Sequence, residues 1–235
     1  MRVPDTSSRG SENRASKINL SQIGFVESQI ARCVGRKGKI VRKKSGKHSA
    51  ELFLTELERL RCYIKEIDGA GLSDQAATWA YEAALLKSMV AFERLMLECL
   101  VAAINNDTGT ISSAANVIFP RHLTDEVCEY LVVGGGYFDF RGRDGLIKEL
   151  KKYVPDGHWL LAVVKKSDKK ALDRLVALRN WAAHESAQSK RVALRAINAQ
   201  RAGSAGSWLK KQGRLDGLLH NLEVIGRDVA RGAPF

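Results

Sequence analysis

Between Ser49 and Asn105 apolar residues recur every three or four positions, and this periodicity constrains the fold more than any other feature of the chain. Leu52, Phe53, Leu57, Leu60, Ile64 and Ile67 fall on one helical stripe, and Gly69 and Gly71 supply its stop signals. Ser73 then provides an N-cap for a second, longer helix reaching about Asn105. Trp79, Leu85, Leu86, Val90, Phe92, Leu95, Met96 and Leu100 give that helix broad apolar coverage, which predicts the central helix of a bundle. Glu93, Arg94 and Glu98 interrupt its apolar run well short of the ~20 residues a membrane span needs, so no membrane segment is expected.

The remaining pattern is also helical. Thr124-Asp125-Glu126 reads as the cap of a short helix to Leu131, inside an irregular excursion over Asp107–Arg143 that includes Gly134-Gly135-Gly136. Further helices are predicted over Asp144–Tyr153 and Asp156–Val164, the second capped by Asp156. Ser167 is expected to cap a helix running from Asp168 towards Asn198, and Gly203 to Gly206 to separate it from a last helix over Ser207–Val229. The first 18 residues are rich in Ser, Arg and Asn and read as a tail, with a short helix over Asn19–Val34 before the Gly35–Gly46 stretch. Residues 1–48 are thus expected to form a basic, partly disordered arm and residues 49–235 an all-α, up-and-down helical bundle.

Charge narrows the partners. The net charge is +12, and residues 28–50 and 186–215 each carry a run of Lys and Arg with no acid among them. Such local asymmetry predicts a polyanion surface, with Arg36, Lys37, Lys39, Arg42, Lys43, Lys44, Lys190 and Arg191 as RNA-binding candidates. Gly35-Arg36-Lys37-Gly38 matches the loop with which KH domains clamp nucleic acid, but the helical pattern from Ser49 onward contradicts the strands a KH fold needs. Gly46-Lys47-His48-Ser49 lacks the upstream Gly and the Ser or Thr directly after Lys of a phosphate-binding P-loop. Cys33, Cys62, Cys99 and Cys128 form no close pair, which predicts buried, reduced thiols. No two of the five His stand at i, i+3 or i+4, so neither a metal nor another cofactor is expected. No apolar segment follows the first charges, so a cytoplasmic protein is expected.

The stretch that carries chemistry is Leu178-Arg179-Asn180-Trp181-Ala182-Ala183-His184-Glu185-Ser186. On an ideal helix Asn180 and His184 share a face, while Arg179 stands about 140° from His184 and ~7.5 Å away along the axis, a gap its long side chain can close. Ala182 and Ala183 keep the surface between them low, so a helix or a substrate can approach. A histidine titrates near neutrality and serves as base or acid, and an arginine forks onto phosphate oxygens. Trp181 can stack on a base or pack in an interface.

These residues resemble the signature of the HEPN superfamily, an Arg followed by a polar residue and, four to six positions later, a His. The helix Ala84–Leu95 is similar to the family's early helix with its inward-facing Glu, here Glu93, and Gly135-Gly136-Tyr137-Phe138-Asp139-Phe140 resembles the RiboL-PSP-type members. The resemblance covers about residues 50–200. It implies a metal-independent endoribonuclease that uses the RNA 2′-hydroxyl as nucleophile, with two motifs paired across a homodimer, in a bacterial toxin or antiviral setting with an antitoxin or other regulatory protein as a further partner. It also implies catalytic roles for Arg179 and His184. Asn180 would orient His184 or contact phosphate, and Glu93 would hold Arg179 or His184, or simply bridge to a neighbouring helix. Some HEPN toxins carry a Tyr two places after the His; Ser186 stands there, which removes the acceptor for nucleotidylation of that Tyr. The competing reading is a HEPN-like bundle that binds RNA or a protein without cleaving.

Overall fold

The computed structural model describes residues 44–211 and 213–234, and among these every regular element is helical, with no strand. The first two form an antiparallel pair: α1 (Gly46–Gly69) and α2 (Asp74–Asn106). Ser45 and Ser73 cap them, their hydroxyls accepting from the backbone N–H of His48 and Ala76 at 3.3 and 3.2 Å. The first helix therefore begins at Gly46 rather than Ser49, and a boundary drawn at residue 48 falls inside its opening turn. The short helices α3 (Gly109–Ala115), α4 (Asp125–Val133), α5 (Gly142–Leu150) and α6 (Trp159–Ala162) follow. After a 3-10 turn come α7 (Lys169–His184), α8 (Ala187–Ala196), α9 (Ala205–Leu209) and α10 (Arg214–Gly232).

The long helix α2 is the centre of the bundle, packed by α1, α4, α7, α9 and α10. Phe92, Leu85, Met89, Leu95, Met96 and Leu100 are almost fully buried on it. Phe92 lies 6.0 Å from Phe53 of α1 and 5.9 Å from Phe140, ring centroid to centroid, so one aromatic cluster ties α1, α2 and the segment before α5 together. The last helix, α10, also packs on α1 and comes close enough at Gly226 that an added Cβ would stand 2.8 Å from the Phe53 ring.

Several elements differ from the sequence expectation for identifiable reasons. Trp79 and Val90 are exposed at 62% and 56%, because α2 is apolar nearly all round and its outer face has no helix over it among the described residues. The excursion over Asp107–Arg143 holds an additional helix, α3. The ring of His158, not Asp156, caps α6: its Nδ1 accepts from Leu160 N–H at 3.2 Å. Asp168 occupies the N-cap position of α7, and Ser167 lies in the 3-10 turn ahead of it.

The predicted helix from Asp168 towards Asn198 breaks directly after His184. Glu185 adopts a left-handed conformation (φ 47°), and Ser186 starts a new helix by accepting the Ser189 N–H at 3.1 Å. The last helix is likewise two, since Ser204 caps α9 and the chain turns at Gly213 before α10. Cys99 and Cys128 are buried and free, and burial pushes the Cys128 thiol up to about 12, whereas Cys62 is exposed; Cys33 lies outside the described residues, as do the expected tail and the Asn19–Val34 helix. No helix among the described residues is long and apolar enough to cross a membrane.

Candidate active site

Three elements converge on Arg179. It sits on α7, whose Leu172, Leu175, Leu178 and Trp181 are buried against the bundle. Glu93 follows Phe92 on α2, and Asp139 lies between Phe138 and Phe140, both buried. Because the Phe92–Phe140 contact seats the extended segment on α2, the carboxylates next to those rings reach the same guanidinium. Arg179 Nη2 donates to Glu93 Oε1 at 2.8 Å and to Asp139 Oδ1 at 3.1 Å, while Nη1 donates to Asn180 Oδ1 at 2.9 Å.

The clamp is graded in exposure: the side chains of Glu93, Arg179 and Asp139 are 16%, 22% and 61% exposed. An arginine has five N–H donors and these contacts use three, which leaves Nε–H and one Nη1–H for another oxygen. Burial pushes the Glu93 carboxyl above the usual carboxylate range; the Arg179 hydrogen bond and charge pull it down, and the Asp139 charge adds to the rise.

Because the folded-state value is the higher one, the native state holds the Glu93 proton more tightly. That contribution to stability is present below the ordinary carboxylate value and lost as pH rises through the raised one. Glu93→Gln keeps the shape of the protonated acid, so its stability relative to the wild type is expected to improve between about pH 4 and about pH 7. Thermal melts at the two pH values check this. A variant that instead loses ground as pH rises would mean that attraction to Arg179 outweighs burial.

His184 closes α7 and is exposed, and its ring makes no hydrogen bond or ion pair among the described residues. Asn180 accepts from Arg179, and no hydrogen bond joins it to His184 among the described residues. Trp181 is 4% exposed and belongs to the chain's own core, with Lys190 Nζ 5.7 Å from its ring centroid, so neither base stacking nor packing between copies describes it. Ser186, in the position that holds Tyr in some HEPN toxins, is the cap of α8.

The RNA-binding candidates separate. Arg36, Lys37, Lys39, Arg42 and Lys43 lie outside the described residues. Lys44 pairs with Glu98 at 3.5 Å and so fastens the start of α1 to α2 instead of standing free for a phosphate. Burial opposes ionisation of Glu98, yet hydrogen bonds from Ser49 and Arg94 and the Lys44 charge hold its carboxyl below the ordinary value. Arg191 is exposed and, among the described residues, bonds only the neutral Gln188, at 2.7 Å.

Asp139 escapes the sequence reading. Its signal is the two-residue alternation Tyr137-Phe138-Asp139-Phe140, which marks an extended segment with two rings in and one carboxylate out. No group of three His, Cys, Asp or Glu side chains able to hold a metal occurs among the described residues. Comparisons with family models, curated proteins and solved structures return no match to the chain.

Proposed function

We propose that the chain is a metal-independent endoribonuclease, with Arg179 and His184 as its reacting-site residues and two copies forming the cleft. The observation that carries this is a guanidinium held by Glu93, Asp139 and Asn180 with, among the described residues, two N–H groups to spare, on the same helix as an exposed imidazole without partners among those residues. In the reaction the 2′-oxygen attacks phosphorus as its proton leaves, the bond to the 5′-oxygen breaks, and that oxygen takes a proton. The products are a 2′,3′-cyclic phosphate and a 5′-hydroxyl. Imidazole suits either proton transfer, and the guanidinium stabilises charge on the phosphorane oxygens. One chain brings one such imidazole; a second copy across a two-fold axis brings the other, at the low surface of Ala182 and Ala183.

Glu93, the more buried carboxylate, acts as a positioning residue. Asp139, the exposed one, yields Nη2 to an incoming phosphate, and Asn180 keeps Nη1 oriented. The HEPN resemblance supports a toxin or antiviral role for this activity, restrained by an antitoxin or another regulatory protein.

A second reading has its own support. Two carboxylates on one guanidinium also describe a structural ion pair, and a bundle held this way can bind RNA or a protein without cleaving. Incubating the purified protein with end-labelled RNA in EDTA separates the two. The nuclease reading expects fragments ending in 2′,3′-cyclic phosphate and 5′-hydroxyl; intact RNA would support the binding module, and fragments with 5′-phosphates would overturn attack by the 2′-hydroxyl.

A further inference from the structure

The turn at Glu185 sends α8 back along α7, so that Ala196 at its end meets Arg174 near the start of α7, the Arg174 Nε donating to the Ala196 carbonyl at 3.5 Å. Two surface grooves adjoin at this point. One is lined by Arg191, Leu194, Arg195 and Asn198, with Ala199 and Gln200 beyond. The other is lined by Lys166, Ser167, Lys169, Lys170 and Arg174, with Asp173 and Ala196.

The charges along this path are uneven. Among the described residues Arg195, Lys166 and Lys170 are exposed and have no ion-pair partner, and Arg191 hydrogen-bonds only Gln188. Asp173 is the one carboxylate lining either groove, and it is already engaged by Lys169 Nζ at 3.1 Å and by the Arg143 N–H at 3.0 Å. The 186–215 stretch contributes no acid. We propose that the α7–α8 hairpin is a track for the RNA backbone, running from the His184 end of α7 to Lys166 and Lys170 at its start, with Arg191 and Arg195 as intermediate phosphate contacts. This rests on the nuclease reading for the direction in which RNA enters. The contact itself requires only phosphates, since exposed flexible cations without carboxylate partners read charge and not sequence.

The test uses the full chain and a fluorescent 2′-O-methyl RNA 12-mer, which lacks the nucleophilic hydroxyl and so reports binding alone. Kd is measured against salt for the wild type and for Lys166→Gln/Lys170→Gln/Arg191→Gln/Arg195→Gln. A control, Lys65→Gln/Lys148→Gln/Lys151→Gln/Lys211→Gln, removes the same formal charge, mostly elsewhere on the surface. All eight residues are exposed, so melting temperatures should match. The track variant is expected to lose affinity and to flatten the salt slope by about 0.7 per contact, about 3 for all four, beyond the change in the control. Equal losses in the two variants, or an unchanged slope, would overturn the track.

Unmodified RNA is followed in parallel to separate this from the nuclease reading. Cleavage by a protein whose slope the track variant leaves unchanged overturns the track and keeps the nuclease. A flattened slope without any cleavage keeps the track and removes the nuclease.

Discussion

Arg179→Ala is expected to abolish RNA cleavage and to destabilise the fold by about 2 kcal/mol near neutral pH, since it removes the partner of a carboxylate that is only 16% exposed. Breaking a fully buried pair costs ~3–5 kcal/mol, and the 22% exposure of the arginine reduces that figure through solvent screening. The pH dependence separates this from a generic packing defect. Without Arg179 nothing opposes the burial that already raises the Glu93 pKa, so the destabilisation should shrink as the medium is acidified and Glu93 takes up a proton. Urea melts at about pH 7 and about pH 4, together with a cleavage assay, measure both effects. A variant as stable as the wild type at both values would show that the Glu93 carboxylate finds water or another donor, and that the clamp serves the site without supporting the fold.

Gly206→Ala is expected to lower the melting temperature by about 10 °C, from a loss of about 3 kcal/mol in a domain of this size. Gly206 lies in α9, where its N–H donates to Glu82 Oε1 at 2.9 Å and an added Cβ would stand 2.1 Å from the Thr78 carbonyl oxygen of α2. No side-chain rotation relieves a clash with backbone, so the methyl must push α9 away from α2 and break the Glu82 contact with it. Because α9 also packs on α7, the α7 helix carrying Arg179 and His184 loses support. Calorimetry of the variant decides it. An unchanged melting temperature would mean that α9 does not rest on α2 as described.

How much of this was legible depends on how local each feature is. The α1–α2 pair could be read because helical periodicity, the cap Ser73 and the glycines at 69 and 71 all act within a few residues. The break after His184 could not, because Ser186 looks like any polar residue until its hydroxyl is seen to accept from Ser189, and the stripe continues through Ala193 and Ile197. Exposure of Trp79 and Val90 was equally hidden: a helix that is apolar on most sides does not declare which face lacks a neighbour.

The same contrast runs through the candidate site. Arg179, Asn180 and His184 belong to one short motif and are visible together. Glu93 stands 86 residues from Arg179, so no spacing rule joins the two, and only the family resemblance points to it. Asp139, 40 residues away, depends on Phe138 and Phe140 entering the core around Phe92. Lys44 belongs to a basic run in the sequence, and only the fold brings Glu98 beside it.

The central claim is chemical, and His184 offers the cleanest handle on it, because the ring is exposed and bonded to nothing among the described residues. The measurement is the single-turnover cleavage rate of a labelled RNA in EDTA by the wild type and by His184→Ala, with melting temperatures taken on the same samples. Loss of a general acid or base predicts a rate lower by about 10²–10⁴-fold at an unchanged melting temperature. Equal rates in the two proteins, or no cleavage by either, would contradict the account.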